Sequence, residues 1–552
     1  MRFLILFILI PVISFSQKRD YKKYDKAVIL FDKGENEKAK KLLVKILDKD
    51  LDWDQPHILM SSILAQEGDI EEAANCLIEI YDEKNFQDIL GIQRIAELYY
   101  KNGFYINALK YFNIAWELDS SSCNKQIPRL INNCHFAIHA IEHPVYFQSY
   151  NLGKNINSSF AEYLPSISVD NNILFITRRV EEEGKLDNED IFFSVKSLED
   201  NNWGPVESLQ EPINSIWEDG AMTLSPNGRV LIFTICHKPD SYGGCDLYFS
   251  NKQQNDQWSL PFNLGSIINT RYKETQPCFS ADGRYLYFVS NRLGGEGGLD
   301  IWRTSLIYNN DSFISFSSPE NLGQGINTSF DEMSPFIHAD NLTLYFASNG
   351  HVGMGNYDLF ISRRDDSESA WKEPENMGFP INTFNIENSL IVSNDGSTAY
   401  FASNKSGFGK EDIFWFELPK NIQANAVNDL ELEIITKSKG EEMILKNVLF
   451  DHNSYHLNEI SKLELNQLAD YLLKNPNMKI VIEGHTDNVG AAEDNLLLSK
   501  NRAKTVYNYL LQQLGSQQLL SYQGYGESIP ISNNDTEKGR SLNRRTSFRF
   551  IQ

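Results

Sequence analysis

Val481-Ile482-Glu483-Gly484-His485-Thr486-Asp487, followed by Leu498-Ser499-Lys500-Asn501-Arg502-Ala503, is the stretch whose reading decides the C-terminal part of this chain. A β-rich run ends in a tight glycine turn that exposes His-Thr-Asp. A helix then carries an arginine fifteen residues after Asp487. One carboxylate and one guanidinium on a rigid frame suit a zwitterionic ligand: arginine offers a planar fork to a carboxylate, and the aspartate accepts an ammonium. Taken singly, Asp487 reads as a turn or capping residue and Arg502 as half of a surface ion pair. Their joint spacing is what points to a site.

Around this stretch, Ile444 to Phe450 reads as a strand and Asp451 to His456 as a loop. Glu459 to Leu473 has helical spacing (Leu463, Leu465, Leu468, Leu472) and stops at Asn475-Pro476. Strands are expected at Lys479–Glu483, Leu519–Gln523 and Ser547–Ile551, with a second helix at Leu496–Leu514. This alternation predicts a compact two-layer α/β domain over residues 441–552.

Phe450-Asp451, Gly484-His485-Thr486-Asp487, Leu498-Ser499-x-x-Arg502-Ala503, Gly524-Tyr525-Gly526-Glu527 and Asn543-Arg544-Arg545 together resemble the OmpA-type peptidoglycan-binding domain. The resemblance covers the last fifth of the chain. It implies that Asp487 accepts the ammonium of a diaminopimelate side chain in the wall's stem peptide and that Arg502 pairs with its carboxylate. Asn453, Thr486 and Asn495 fall where the family places supporting polar contacts, and Arg545 lies in its last block. Arg544 is expected to brace the fold, and His485 to be a turn residue rather than a base or metal ligand. No nucleophile with a paired base stands near, so no hydrolysis, cofactor or metal is expected.

Upstream, two repeats of different period appear. Gly34-Glu35-Asn36-Glu37-Lys38-Ala39, Gly68-Asp69-Ile70-Glu71-Glu72-Ala73 and Gly103-Phe104-Tyr105-Ile106-Asn107-Ala108 recur at steps of 34 and 35 residues. They resemble tetratricopeptide repeats without the closing proline, and predict an all-α solenoid over 17–145 with a concave partner-binding surface. Five longer copies follow, each with a turn segment such as Asn263-Leu264-Gly265…Asn269, a strand–turn–strand unit, and an aspartate opening a third strand: Asp190, Asp246, Asp300, Asp358 and Asp412. They resemble WD-like repeats and predict an all-β propeller, five-bladed, over 146–420, with a linker at 421–440. The aspartates are expected to cap loops or bind backbone amides.

The 552-residue chain carries a net charge of −23, which argues against nucleic acid and anionic membrane surfaces as partners. Residues 1–16 read as a secretory signal peptide, and no cysteine stands at its exit to be lipidated. Cys236 and Cys245, nine apart between two expected strands, are a possible disulfide; Cys123 and Cys134 are a second candidate pair. No CxxC pair or histidine cluster accompanies the thiols, so zinc is not expected.

The whole order resembles a Bacteroidetes arrangement associated with type IX secretion, here lacking a carboxypeptidase-regulatory-like sandwich. The expectation is a non-enzymatic periplasmic anchor, associated with peptidoglycan and the outer membrane, whose repeats hold outer-membrane β-barrel or secretion-system proteins. The competing reading is a cell-wall or glycan hydrolase with a wall-targeting module.

Overall fold

Helical periodicity gives way to strand alternation near residue 145, and the computed structural model follows that change. It describes residues 19–551 except 83–87, 119, 121–125, 181–187, 198–201, 254, 310–311, 367–368, 405–406, 428–429, 432–433, 435–439, 446–447, 449, 451–454, 456, 458 and 516–518. The expected signal peptide therefore lies outside the described residues, as do Asn453 and Cys123. Two compact units are distinguished: residues up to His143 with Met354–Asn356, and Pro144–Gly353 with the chain from Tyr357 onward.

The first unit contains helices at Tyr21–Asp32, Asn36–Leu47, Asp54–Glu67, Ile70–Asp82, Ile89–Lys101, Tyr105–Leu118 and Ile127–Glu142. Gly34, Gly68 and Gly103 separate the helices of successive pairs with φ of 73°, 88° and 78°, a left-handed conformation that glycine adopts without a Cβ penalty. Small residues let neighbouring helices approach: Ala27, Ala39 and Ala73 are fully buried beside Leu43 and Ile63.

In the second unit, hairpin turns produce a series of small antiparallel sheets. The first comprises Ala161–Ile167, Ile173–Val180, Asn188–Val195 and Glu207–Ser208; the second, Glu218–Leu224, Val230–Cys236, Cys245–Asn251 and Phe262–Asn263. The third runs from Glu274–Phe279 to Glu320–Asn321 and the fourth from Glu332–Ile337 to Glu375–Asn376. The fifth joins Glu387–Val392, Thr398–Ser403 and Asp412–Glu417 to the early strand Tyr150–Asn151.

These findings correct the expected fold class. Among the described residues the strands form separate small sheets and close no barrel or propeller, and the N-terminal helices are not clearly a tetratricopeptide solenoid. The physical reason lies in the range of the signals: Asp-Gly and Asn-Gly turns pair adjacent strands locally, and a repeat period does not prescribe how one sheet joins the next. Between the first and fifth sheets, for example, the backbone pairing is an isolated bridge, Ala161 to Glu411.

The repeated asparagines are structural. The Asn327 side chain accepts from the Ile301 amide at 2.8 Å and donates to the Ile301 carbonyl at 2.9 Å. Asn157, Asn214, Asn269 and Asn382 make the same pair of bonds to Ile413, Ile191, Leu247 and Leu359. Each amide thus stands in for a neighbouring strand. Asp246 accepts from the amides of Tyr242 and Gly243 at 2.7 and 3.0 Å, and Asp412 from those of Phe408 and Gly409 at 2.6 and 3.0 Å. This is the loop-capping role expected for the repeated aspartates. Cys236 and Cys245 are opposite each other in the second sheet and bonded, S–S 2.04 Å. Cys134 is a buried free thiol.

The C-terminal part is an α/β domain, whose elements are numbered here from its start. They are β1 (Met443–Ile444), α1 (Glu459–Lys474), β2 (Lys479–His485), α2 (Ala492–Leu514), β3 (Leu519–Gly526), α3 (Glu537–Asn543) and β4 (Thr546–Ile551). The sheet order is β1-β4-β2-β3, with β2 and β3 parallel and the other neighbours antiparallel. Leu465, Leu468 and Leu472 of α1 and Ala503, Val506 and Leu510 of α2 pack with Ile480, Ile482 and Phe548 of the sheet. Truncating such leucines to alanine costs about 2–5 kcal/mol. No described helix is long and apolar enough to cross a membrane.

Replacing Asn327 by alanine strands the buried amide and carbonyl of Ile301. The expected loss is about 1–3 kcal/mol, read as faster amide exchange in the third and fourth sheets; unchanged exchange would refute the bridging role.

Candidate ligand-binding site

Two glycines bring the site together. A Cβ on Gly484, in β2, would collide with the carbonyl oxygen of Ser499, and one on Gly524, in β3, with the backbone nitrogen of Lys500. Helix α2 therefore rides directly on the ends of these parallel strands, closer than any side chain permits. The contact is locked by the Gly526 amide, which donates to Ser499 Oγ at 2.8 Å, and by the Thr486 amide, which donates to the Gly526 carbonyl at 3.0 Å. The N-terminal half of α2, with Asn495 and Arg502, is thereby set beside the loop that leaves β2 at Thr486-Asp487.

Asp487 is buried, and one of its oxygens accepts from the Val489 amide at 3.0 Å. The other accepts from Arg544 Nη1 at 2.6 Å, while Arg544 Nη2 donates to Glu537 at 2.7 Å. These two carboxylates raise the Arg544 pKa. Asn495 donates to the Asp487 carbonyl at 3.3 Å and to Glu527 at 2.7 Å, tying the loop to α2 and to the end of β3. Arg502 is buried, with its guanidinium 5.2 Å from the centre of the Phe450 ring. Burial lowers its pKa first, the Arg544 charge adds to this, and Asp487 opposes both. Arg502, Arg544 and Asp487 thus share one electrostatic neighbourhood. Among the described residues, the buried Thr486 hydroxyl has no hydrogen-bond partner.

Asp487, Thr486, Asn495 and Arg502 are brought together at one end of the sheet. Arg545 is not placed with them. Its guanidinium forks onto Glu442 at 2.6 and 3.2 Å and donates to the Ile529 carbonyl at 3.2 Å. Arg544 occupies the Asp487 carboxylate instead, and Glu537 and Glu527 join the polar set; the sequence offered Glu527 only as the end of a family block, and Glu537 not at all. Arg544 caps α3 with φ −75° and ψ 74°, and that local turn decides which of the two adjacent arginines faces Asp487. The signal available was the Asn543-Arg544-Arg545 block, which does not choose between them.

Beneath the site is a buried charge network. Arg549 forks onto Glu483 at 2.8–3.0 Å. The fully buried His485 ring lies 3.5 Å from Glu442 and 3.4 Å from Ser547 Oγ, and stacks on Tyr525 at 5.4 Å. Glu442, Glu483 and His485 put three metal-capable atoms within 4.8 Å of one another. Guanidinium groups already hold both carboxylates, so this cluster reads as a salt-bridged support. Burial, reinforced by Arg545, lowers the His485 pKa to about 4 against the pull of Glu442.

A histidine whose folded pKa lies below its unfolded value stabilises the fold in its neutral form. That stability is fully present above about pH 6.5 and is lost as pH falls toward 4. Across this window the protection of β2 and β4 amides, measured relative to their intrinsic exchange rates, should fall by the equivalent of about 3 kcal/mol. A His485→Gln variant should lose most of this dependence; equal acid sensitivity in variant and wild type would contradict it.

Residues 449–544 match the model of the OmpA family. The chain is 36% identical over 152 residues to the peptidoglycan-associated lipoprotein of Buchnera aphidicola, covering 26% of this chain and 84% of the lipoprotein. It is 37% identical over 99 residues to outer membrane porin F of Pseudomonas aeruginosa, covering 18% of this chain and 28% of the porin. It is 40% identical over 84 residues to the peptidoglycan-binding protein ArfA of Mycobacterium tuberculosis, covering 15% of this chain and 26% of that protein. The chain thus spans less than a third of the porin and of ArfA, and most of the lipoprotein. Through the domain that carries the Asp487 site, the chain belongs to the OmpA family.

Proposed function

We propose that this protein is a non-catalytic anchor of the cell envelope that grips peptidoglycan through the diaminopimelate of its stem peptides. The observation that carries this reading is the buried Asp487 carboxylate at the end of β2, flanked by Arg544 at 2.6 Å and sharing its electrostatic surroundings with Arg502. The family match and the likeness to a peptidoglycan-associated lipoprotein and to the peptidoglycan-binding protein ArfA support it.

Ion-pair exchange explains the selectivity. The ammonium of the ligand takes the place of Arg544 on Asp487, and the released guanidinium joins Arg502 in holding the ligand's carboxylate. A zwitterion satisfies both signs at once. A simple amine leaves the displaced arginine with Glu537 alone, and a simple acid leaves the Arg544–Asp487 pair intact and competing. Asn495, through the Asp487 carbonyl, and Thr486 position the loop. A partly exposed pair gives modest affinity per site, and the repeating polymer adds retention through high local ligand concentration.

The helical region of residues 17–145 and the sheet region of 146–420 are, in this proposal, attachment surfaces for outer-membrane or secretion-system proteins, including type IX-like ones. The location is the periplasm, reached by the N-terminal export signal.

Co-sedimentation of the full chain with purified peptidoglycan tests the anchor. Asp487→Ala and Arg502→Ala should each weaken binding by at least about tenfold, or roughly 1.4 kcal/mol, and no new soluble muropeptides should appear on incubation. Variants that sediment like wild type would sink the reading, and released fragments would favour a hydrolase.

A further inference from the structure

The helix Ile127–Glu142 carries His135 and His139, and His143 is its C-cap, so an imidazole recurs every four residues. All three side chains are exposed. Four residues are close to one helical turn, which places them along one face. The rings of His139 and His143 are nearly parallel, with centroids 4.3 Å apart and an interplanar angle of 23°. His143 Nδ1 lies 3.0 Å from the carbonyl oxygen of His139. A carbonyl accepts only, so Nδ1 carries the hydrogen and Nε2 keeps the lone pair. This is the tautomer in which a neutral imidazole ligates a metal, with the backbone carbonyl holding the ring as an outer partner.

Two histidines at i and i+4 on one helical face are a known bidentate chelate. Zinc–nitrogen bonds of about 2.0–2.1 Å let one ion sit between ring nitrogens about 3–4 Å apart, a span that small rotations of the two stacked rings supply. We propose that His139 and His143 bind one divalent d-block cation, Zn²⁺ or Cu²⁺. Water completes the coordination of this exposed site. Attraction of imidazolium to the negative end of the helix dipole also places histidines in a last turn. That effect accounts for position alone: it calls for no stacked pair and yields no stoichiometric metal binding. The inference stands independently of the wall-binding proposal.

Calorimetric titration of the full chain with ZnCl₂ and with CuCl₂ at neutral pH tests it. Wild type should bind one equivalent, Cu²⁺ more tightly than Zn²⁺, and the Cu²⁺ complex should show nitrogen hyperfine coupling in its paramagnetic resonance spectrum. A His139→Ala/His143→Ala double variant should bind at least about tenfold more weakly, and His135→Ala should bind like wild type. Circular dichroism of the double variant should match wild type, since these side chains are exposed. Binding that survives in the double variant would assign the metal to other groups, such as the thiols. That result, or the absence of saturable binding below millimolar metal, would overturn the site.

Discussion

The contact of α2 with the glycine ends of β2 and β3 is the constraint on which the candidate site depends. Gly484 and Gly524 permit a helix backbone where any side chain would collide with it. The approach delivers Ser499 to the Gly526 amide and aligns Asn495 with the Asp487 loop. The hydrophobic core below, from Leu465 to Phe548, holds both layers at that separation. An acid and two arginines can then be placed within a small volume without long, mobile loops.

The second requirement is electrostatic. Charges buried in a protein are costly unless paired, and this domain pairs them in tiers. Arg549 with Glu483 and Arg545 with Glu442 form the support, and His485 stays neutral between them. Above this tier, Arg544 bridges Asp487 and Glu537 at the partly exposed surface. The lower pairs are closed within the fold, whereas the upper one offers an exchangeable partner to an incoming ammonium. Arg545 and Arg544 differ in burial, their side chains being 3% and 38% exposed, whereas Arg549, 33% exposed, is closed by its fork onto the buried Glu483.

Much of the C-terminal domain was legible in the sequence. Helical spacing in Glu459–Leu473, the proline stop, and the glycines of β2 and β3 are local signals, and the resemblance of five ordered blocks added the site. Less legible was the choice between Arg544 and Arg545, which a single cap conformation decides. In the middle of the chain, the turns and the Asn–strand pairs follow from the repeated residues, since each is a local hydrogen-bonding pattern. The closed arrangement inferred from the period did not follow. A repeat fixes what each unit looks like, whereas separate sheets satisfy their own ladders without specifying closure. The helical repeats teach the same lesson: Gly34, Gly68 and Gly103 mark turns, and a turn pattern does not by itself define a solenoid.

The central claim, that Asp487 and its arginines read a zwitterion, is tested most directly by calorimetric titration of the full chain with meso-diaminopimelate, lysine and glutarate in parallel. The account predicts saturable binding of diaminopimelate, lost in Asp487→Asn, with glutarate, which carries no ammonium, at least about tenfold weaker; lysine, which presents one ammonium–carboxylate centre, should fall between the two. Equal affinity for all three, or diaminopimelate binding that persists in Asp487→Asn, would contradict it.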